Sequence, residues 1–320
     1  MKNWKKCMAG FLAAVMMLST TACGASNGKS GYVIGICQLV EHIALDEATK
    51  GFQDALIEEF GDKVTFDVKI AKDGSLEGCR EITNQFAADN VDLIMANATG
   101  ALKAAAASTN VIPIVATSVT DYASALNIRD WTGTTGINVT GTSDLAPIQE
   151  QAKMVQELFP EASSVGILFS KNESNSIYQA RMMELALADY GIAHKEYIIE
   201  NVANVEEMAR AAASECQVIY LPTDNTMAAS VATLKEVFLE QGVPAIAGEE
   251  GICEAGVATL SISYYSIGYD AGKMAAQILR DGTNPADMDI QYAKDFTKKY
   301  HADNAQALGV SIPDSYEAIK

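Results

Sequence analysis

Positive charge is scarce in this 320-residue sequence, in which 23 Lys and Arg stand against 41 Asp and Glu, for a formal net charge of -18. A surface that acidic repels phosphate backbones, so we expect no nucleic acid among the partners of the protein. Proline is also rare, with 7 residues, while 49% of the chain is hydrophobic. This composition excludes a disordered or collagen-like chain and indicates a globular protein long enough for two domains.

Metal ligands and reactive motifs are sparse as well. The chain has 3 His, and its 6 Cys include no Cys-x-x-Cys pair, so no zinc-binding spacing is present. Glycine-rich phosphate or dinucleotide loops and a Gly-x-Ser-x-Gly elbow are missing too. We therefore expect no metal, no cofactor and no enzymatic activity. The enzyme alternative rests on His42 beside Glu41, a pair with the chemistry of a general base.

Beyond its first residues the sequence has no apolar stretch of the roughly 18 residues that a spanning helix needs. Three lysines near the start precede a short apolar run and then Thr21-Ala-Cys23, a pattern that is similar to a bacterial lipoprotein signal. It predicts a signal peptide over residues 1–22, a lipid anchor on Cys23 and a flexible tether over 23–30. The expected location is extracytoplasmic, with the lipid as the only membrane contact. The alternative is an ordinary secretory signal in which the cysteine is incidental.

Short apolar segments alternate with helical patterns from Tyr32 onward, and the same order restarts after Gly141. The predicted strands are 32–37, 64–70, 92–95, 113–116, 164–169, 196–199 and 218–221. Near-continuous apolar strands separated by helices are typical of parallel sheets covered on both faces. The sequence therefore predicts an α/β fold made of two similar lobes, each a parallel sheet flanked by helices.

Polar loops follow several of these strands, where open α/β sheets bind their ligands. Four of them open a predicted helix: 38–46, 97–100, 171–176 and 222–226. Ser, Thr, Asn and Asp are also the preferred helix caps, so capping is the alternative function for each of these side chains. Matched polar loops in both halves favour a ligand cleft between the lobes.

The residues of these loops carry a resemblance to a known family. The motifs, in chain order, are Ile34-Gly-Ile-Cys-Gln-Leu-Val-Glu-His-Ile-Ala-Leu-Asp46, Asp92-Leu-Ile-Met-Ala-Asn-Ala-Thr99, Thr120-Asp121, Asn138-Val-Thr-Gly-Thr-Ser-Asp144, Glu173-Ser-Asn-Ser176, Pro222-Thr-Asp-Asn-Thr226 and Glu249-Glu-Gly251. From residue 31 to the end, the chain resembles the tryptophan/tyrosine-type substrate-binding lipoproteins of ABC importers, which have the type I periplasmic-binding fold. One departure is Gly248-Glu-Glu250, where relatives commonly have Ser-Asp-Glu.

The resemblance implies a two-lobe Venus-flytrap protein that captures an aromatic amino acid, such as tryptophan, tyrosine or phenylalanine, and delivers it to permease subunits. It also implies three chain crossings, with a first lobe at 31–142 and 264–290 and a second at 143–263 and 291–320. A surface lipoprotein that uses the same cleft for sensing or adhesion is the alternative.

The groups of an amino acid can be matched to candidate residues. Donors for the α-carboxylate are Ser174, Asn175, Ser176, Thr223 and Asn225. Carboxylates for the ammonium are Asp224, Glu250, Asp121 and Glu41, with Asp224 favoured because it shares a turn with those donors. Candidate walls for the side chain are Leu45, Ala98, Tyr178 and Tyr264, and the strand-end residues Thr99 and Ser118 complete the predicted site.

Overall fold

The computed structural model describes residues 31–72 and 74–319, which form two β-sheets with helices packed against them. The predicted signal peptide, Cys23 and the tether lie outside the described residues. No helix within the described ranges combines the length and the apolarity that crossing a membrane requires.

The elements alternate along the chain as the sequence predicts. The strands are β1 (Tyr32–Gln38), β2 (Val64–Ile70), β3 (Leu93–Asn97), β4 (Ile114–Thr117), β5 (Val139–Ser143), β6 (Ser164–Ser170), β7 (Ala193–Ile199), β8 (Val218–Leu221), β9 (Ala245–Ala247), β10 (Ala258–Ser261), β11 (Gln291–Tyr292), β12 (Thr297–Tyr300) and β13 (Glu317–Ala318). The helices are α1 (Ile43–Phe60), α2 (Leu76–Asp89), α3 (Thr99–Ser108), α4 (Tyr122–Leu126), α5 (Ile148–Leu158), α6 (Ser174–Asp189), α7 (Val205–Glu215), α8 (Asn225–Ala228), α9 (Val231–Gln241), α10 (Tyr264–Asp281) and α11 (Ala302–Ala307).

The first sheet has the strand order β2-β1-β3-β4-β5-β11, and all of its pairs are parallel. The second has the order β7-β6-β8-β9-β10-β12-β13, in which only β12 runs antiparallel to its neighbour β10. Strands β3, β4 and β8 are buried over their whole length, as expected when helices cover both faces of a sheet. The predicted fold class is confirmed.

The chain passes between the sheets after β5, after β10 and after β11. Strand β11 pairs with β5 through Gln291 and Tyr292, so the chain leaves the first sheet after Tyr292 and not after residue 290 as expected. The pairing shows why: this two-residue strand extends the edge of the first sheet before the chain crosses.

Two long helices, α1 and α10, pack against each other at the first sheet. A Cβ on Gly268 would lie 2.0 Å from the carbonyl oxygen of Ala48, and a Cβ on Gly51 would lie 2.1 Å from that of Tyr265. Glycine inside a helix costs about 1 kcal/mol relative to alanine, and here it permits the close approach of the two backbones. The contact fixes the first turns of both helices, which carry Leu45 and Tyr264, beside the carboxyl edge of the first sheet.

Candidate functional site

A small cavity lies between the carboxyl edges of the two sheets. The elements of the first sheet and its helices contribute His42, Leu45, Ser118, Thr120, Asp144 and Tyr264. Those of the second contribute Asn175, Thr223, Asp224, Asn225, Ala228, Glu249 and Ile252. Polar and apolar side chains from both sheets thus converge on one site, as is typical of small-molecule binding sites.

Two residues at the ends of β3 and β4 have left-handed backbone conformations without being glycine. Ala98 has φ 85° and Ser118 has φ 56°. Such conformations cost about 1–3 kcal/mol each and persist where the surrounding structure requires them, often at ligand sites. The hydroxyl of Ser118 is buried in the wall of the cavity and has no hydrogen-bond partner within residues 31–72 and 74–319. The strained turn therefore leaves an unused polar group facing the cavity.

Three carboxylates in the cavity wall are buried: Asp144, Asp224 and Glu249 are 5%, 1% and 3% exposed. In the part of the chain that the structure describes, none of them forms an ion pair with Lys, Arg or His. Buried charges are normally paired, because an unpaired charge is strongly destabilising. The cavity is thus short of positive charge.

The hydrogen bonds of Asp224 show that it caps a helix. Its carboxylate accepts from Ser170 N at 2.8 Å, from Ser170 Oγ at 3.0 Å and from Met227 N at 3.0 Å. The last of these bonds makes it the N-cap of α8, and the other two tie α8 to the end of β6. Both oxygens of the favoured ammonium partner are therefore already engaged by the protein.

Glu249 and Asp144 are held differently. Glu249 accepts two backbone N–H bonds from its own turn, from Gly251 at 2.7 Å and Ile252 at 2.6 Å. Asp144 accepts from two hydroxyl groups, Thr120 Oγ1 at 3.0 Å and Tyr264 OH at 3.1 Å. A backbone hydrogen bond at Asp144 itself also favours its ionised form. Asp144 is thus held mainly by side-chain hydroxyl groups, and Glu249 by backbone N–H groups.

Burial controls the protonation of these groups. Desolvation raises the pKa of Asp224 to about 7, with the charge of Glu173 adding to the effect, and it raises the pKa of Glu249 to about 7. Burial also raises the pKa of Asp144, against the hydroxyl donors that lower it. Desolvation lowers the pKa of His42, which favours its neutral form. A bound cation that pairs with the ionised carboxylates therefore stabilises the folded protein.

An internal carboxylate occupies the start of α8. Glu173 accepts from Asn225 N at 2.9 Å and Asn225 Nδ2 at 2.7 Å, and from Thr226 N and Oγ1, both at 2.9 Å. Asn175 Nδ2 donates to the same group at 3.1 Å. The sequence predicts that Asn175 and Asn225 hold a ligand carboxylate, but in the structure their amide groups donate to Glu173. Both residues line the cavity and Thr226 lines a neighbouring groove, while their N–H groups hold the loops together.

The predicted site residues are distributed over several places. Those that line the cavity are Leu45, Ser118, Asn175, Thr223, Asp224, Asn225 and Tyr264. Ser174 and Thr99 line a neighbouring groove, where Ser174 Oγ accepts from Lys103 Nζ at 3.1 Å. Ser176 is buried and Ala98 lies at the strained turn, but neither lines the cavity.

Four further predictions fall outside the cavity. Glu250 lies in a separate groove, where it pairs with Lys299 Nζ at 2.7 Å and accepts from Ser261 Oγ at 2.6 Å. Tyr178 lines a different groove near β11, because α6 turns this side chain away from the cavity. Asp121 accepts from Ser124 N as the cap of α4, and Glu41 is exposed to solvent.

Residues that the sequence analysis did not assign also line the cavity. They are His42, Thr120, Asp144, Ala228, Glu249 and Ile252. The rule that polar residues after parallel strands face the ligand would have selected Asp144, which directly follows β5. No sequence signal indicates Ala228, at the end of the short helix α8, or Ile252, after the turn that follows β9, because the position of both depends on tertiary contacts.

Side chains of the two sheets meet across the cavity. Gln179 Nε2 donates to Thr120 Oγ1 at 3.4 Å, and His42 Nε2 lies 3.4 Å from Asn225 Oδ1. Gln179 also accepts from Thr223 N at 3.1 Å, so it joins the loop after β8 to the loop after β4. The described arrangement is therefore a closed one.

Comparison with known proteins gives consistent results over most of the chain. A family model described as ABC transporter substrate binding protein matches residues 33–318. The tyrosine-binding protein of Clostridioides difficile strain R20291 is 32% identical over 307 residues, which cover 89% of this chain and 87% of that protein.

Two solved structures differ in how well they superpose. An ABC domain from Streptococcus pneumonia in complex with L-Trp is 28% identical, with a TM-score of 0.85, and covers 91% of this chain and 100% of its own. The ligand-free, open structure of CD0873, a substrate-binding protein with adhesive properties from Clostridium difficile, is 30% identical, with a TM-score of 0.70, and covers 90% and 99%. The two structures have similar sequence identity to this chain, but the open one has the lower TM-score. The two lobes of this chain are therefore arranged differently from those of the open structure, in agreement with the contacts across the cavity.

Proposed function

We propose that this chain, which belongs to the ABC transporter substrate-binding protein family, captures an aromatic amino acid in the cavity between its two sheets and delivers it to permease subunits. The observation that carries the proposal is the combination of unneutralised buried carboxylates and the unpartnered hydroxyl of Ser118 in one enclosed cavity. An ammonium supplies the missing positive charge, and a carboxylate accepts from the hydroxyl. Proteins of this family and the similar structures bind solutes and are not enzymes.

The choice of an aromatic amino acid has separate support. Leu45, Ile252 and the ring of Tyr264 provide apolar wall next to the polar groups. One relative is named a tyrosine-binding protein, and one similar structure holds L-Trp. Capture follows from closure, because a ligand that touches both sheets stabilises the closed arrangement by contacts that the open one lacks. The moving bodies are the two expected lobes, with residues 291–292 kept in the first.

A thermal-shift screen of the purified protein against the twenty amino acids, followed by calorimetric titration, tests the proposal. We expect L-tyrosine, L-tryptophan or L-phenylalanine to raise the melting temperature most. A ligand at about 100 times its dissociation constant adds about 2.7 kcal/mol to the free energy of unfolding. Matched D-enantiomers serve as controls, since they present the same side chain with its charged groups misplaced. Binding of none of the three, or tighter binding of a sugar, would contradict the proposal.

Delivery to a permease requires a position outside the cytoplasm, which the family implies. We propose that residues 1–22 are a signal peptide and that Cys23 carries a lipid anchor, as the pattern of three lysines, apolar run and Thr-Ala-Cys supports. Fractionation of cells that express Cys23→Ser tests the anchor, because the variant should leave the membrane fraction. Retention of the variant in that fraction contradicts lipidation.

Adhesion is a second candidate function, favoured by one observation. The CD0873 protein, 30% identical to this chain, is described as having adhesive properties. Adhesion would use the outer surface and not the enclosed cavity. Binding of the purified protein to host-cell surfaces, with and without saturating amino acid, tests it.

A further inference from the structure

The three buried carboxylates of the cavity are not equivalent, and their hydrogen bonds show which of them is available to a ligand. Asp224 has three protein donors on its two oxygens and holds α8 to β6. Asp144 has two hydroxyl donors and a backbone hydrogen bond within its own residue, and Glu249 has two N–H donors from its own turn. A carboxylate oxygen accepts up to two hydrogen bonds, so Asp144 and Glu249 each keep acceptor capacity.

Asp144 and Glu249 approach the cavity from opposite sides. Asp144 follows β5 of the first sheet, at the first crossing, and Glu249 follows β9 of the second sheet. The two groups are electrostatically linked, because the charge of Asp144 contributes to the raised pKa of Glu249. Both charges also act on Tyr264, which lines the cavity beside them. Closure therefore brings two like charges together in a space from which water is largely excluded.

We propose that Asp144 and Glu249 together hold the ammonium of the bound amino acid, and that closure of the lobes therefore requires a cationic amine in the ligand. This inference rests on the proposed function and replaces Asp224 and Glu250, the first two candidates from the sequence, as the ammonium partners. Without a cation, the like charges oppose closure. An ammonium between them converts the repulsion into two charge-assisted hydrogen bonds that join one sheet to the other.

The position of Asp144 also links the ligand to the crossings between the sheets. Tyr264, which donates to Asp144, begins α10 at the second crossing, and Thr120, the other donor, accepts from Gln179 of α6. A chain of hydrogen bonds thus runs from the first two crossings through Asp144 to the second sheet. A ligand bound to Asp144 stabilises that chain in its closed geometry.

Three probes separate this role from a structural one: L-tyrosine, tyramine, which keeps the ammonium, and 3-(4-hydroxyphenyl)propionate, which lacks it. We expect Asp144→Asn to weaken L-tyrosine and tyramine by roughly 30-fold or more in calorimetric titration, since it removes one partner of a buried charge pair. The propionate should bind within about threefold of its wild-type affinity, or more tightly. Asp224→Asn is the matched control, and it should change all three affinities by a similar factor.

Small-angle scattering of the unliganded protein gives a second measurement, which does not require any of the probes to bind. Removal of one like charge should let the unliganded Asp144→Asn protein close more readily, so its radius of gyration should be smaller than that of the unliganded wild type. If Asp144→Asn weakens the propionate as much as L-tyrosine, the inference is overturned while the proposed function stands. If the wild type binds no aromatic amino acid in any form, the proposed function fails and the inference fails with it.

Discussion

The polar loops at the carboxyl edges of the two sheets look alike in sequence and behave differently in the structure. On the second sheet, Glu173, Asn225 and Thr226 bond to one another, and Asp224 bonds to Ser170 and Met227. At the first sheet the hydroxyl of Ser118 has no partner within the described ranges, and Asp144 is held mainly by two hydroxyl donors. The loops around Glu173 and Asp224 are satisfied internally, whereas Ser118 and Asp144 keep hydrogen-bonding capacity for a ligand.

This difference shows that the position of a polar residue after a strand is a weaker indicator of ligand contact than its unused hydrogen-bonding capacity. Buried polar groups are nearly always paired, so a buried group without a partner at a cavity indicates a missing molecule. The second-sheet loops around Glu173 and Asp224 supply a rigid wall, while Ser118 and Asp144 of the first-sheet side, together with Glu249 after β9, supply the groups that distinguish ligands. Substitutions on the two sides should therefore affect different measurements.

The largest expected effect is on stability, from Glu173→Ala. The substitution leaves the N–H groups of Asn225 and Thr226 without their acceptor, and hydrogen bonds to a charged group contribute about 1.5–3 kcal/mol each. Because Glu173 is only partly buried, water replaces some of them. We expect the free energy of unfolding, measured by urea denaturation, to fall by about 2–3 kcal/mol.

Glu173→Gln is the matched control for that variant, because its amide oxygen still accepts from one side of the α8 turn. It should cost about half as much stability and change the affinity for the amino acid by less than about threefold. If either variant lost more free energy of binding than free energy of unfolding, Glu173 would belong with the ligand-binding groups. The contrast between the two sides would then be lost.

The second prediction uses the raised pKa values of Glu249 and Asp224, both about 7. Only the ionised carboxylate of Glu249 pairs with an ammonium, so lowering the pH from 7.5 to 6 should weaken amino-acid binding by about tenfold. The charge of Asp144 acts on Glu249, and burial raises the pKa of Asp144 as well, so protonation of Asp144 contributes in the same direction. Burial lowers the pKa of His42, which favours its neutral form. Calorimetric titration over this range measures the effect.

The unliganded protein should respond to the same pH change in the opposite direction. Each pKa is raised in the folded state, so the folded protein binds more protons than the unfolded chain between about pH 4 and pH 7. Stability therefore falls as the pH rises through that window and increases on acidification from 7.5 to 6. If acidification from pH 7.5 to 6 lowered both the unliganded stability and the affinity, or raised both, these carboxylates would not be the ligand-binding groups.

Much of the architecture was predictable, because it depends on local patterns. The apolar strands such as β2 and β8 have the predicted bounds, and helix α6 begins at Ser174 as expected. The roles of individual polar residues were less predictable. Whether Asp224 binds a ligand or caps α8 depends on Ser170, which is 54 residues away, and no periodicity encodes that contact. The position of Asp144 after β5 could have indicated the cavity, but its hydrogen bond with Tyr264 could not be predicted, because Tyr264 comes from a distant segment at the start of α10.

The smallest expected effect concerns Ser118, and it distinguishes a ligand-binding group most directly from a structural one. Ser118→Ala removes a buried hydroxyl that has no partner in the described structure, so it should leave the melting temperature of the unliganded protein unchanged or raise it. Ser118→Gly also relieves the left-handed backbone at φ 56° and should raise the melting temperature further.

Both variants lose the hydrogen bond to the ligand carboxylate, so calorimetry should show affinity weakened by roughly fivefold, about 1 kcal/mol. Greater stability with weaker binding is the signature of a strained residue kept for its ligand. Unchanged affinity in both variants would show that the ligand forms no hydrogen bond with the Ser118 hydroxyl. The contrast between the two sides would then rest on Asp144 alone.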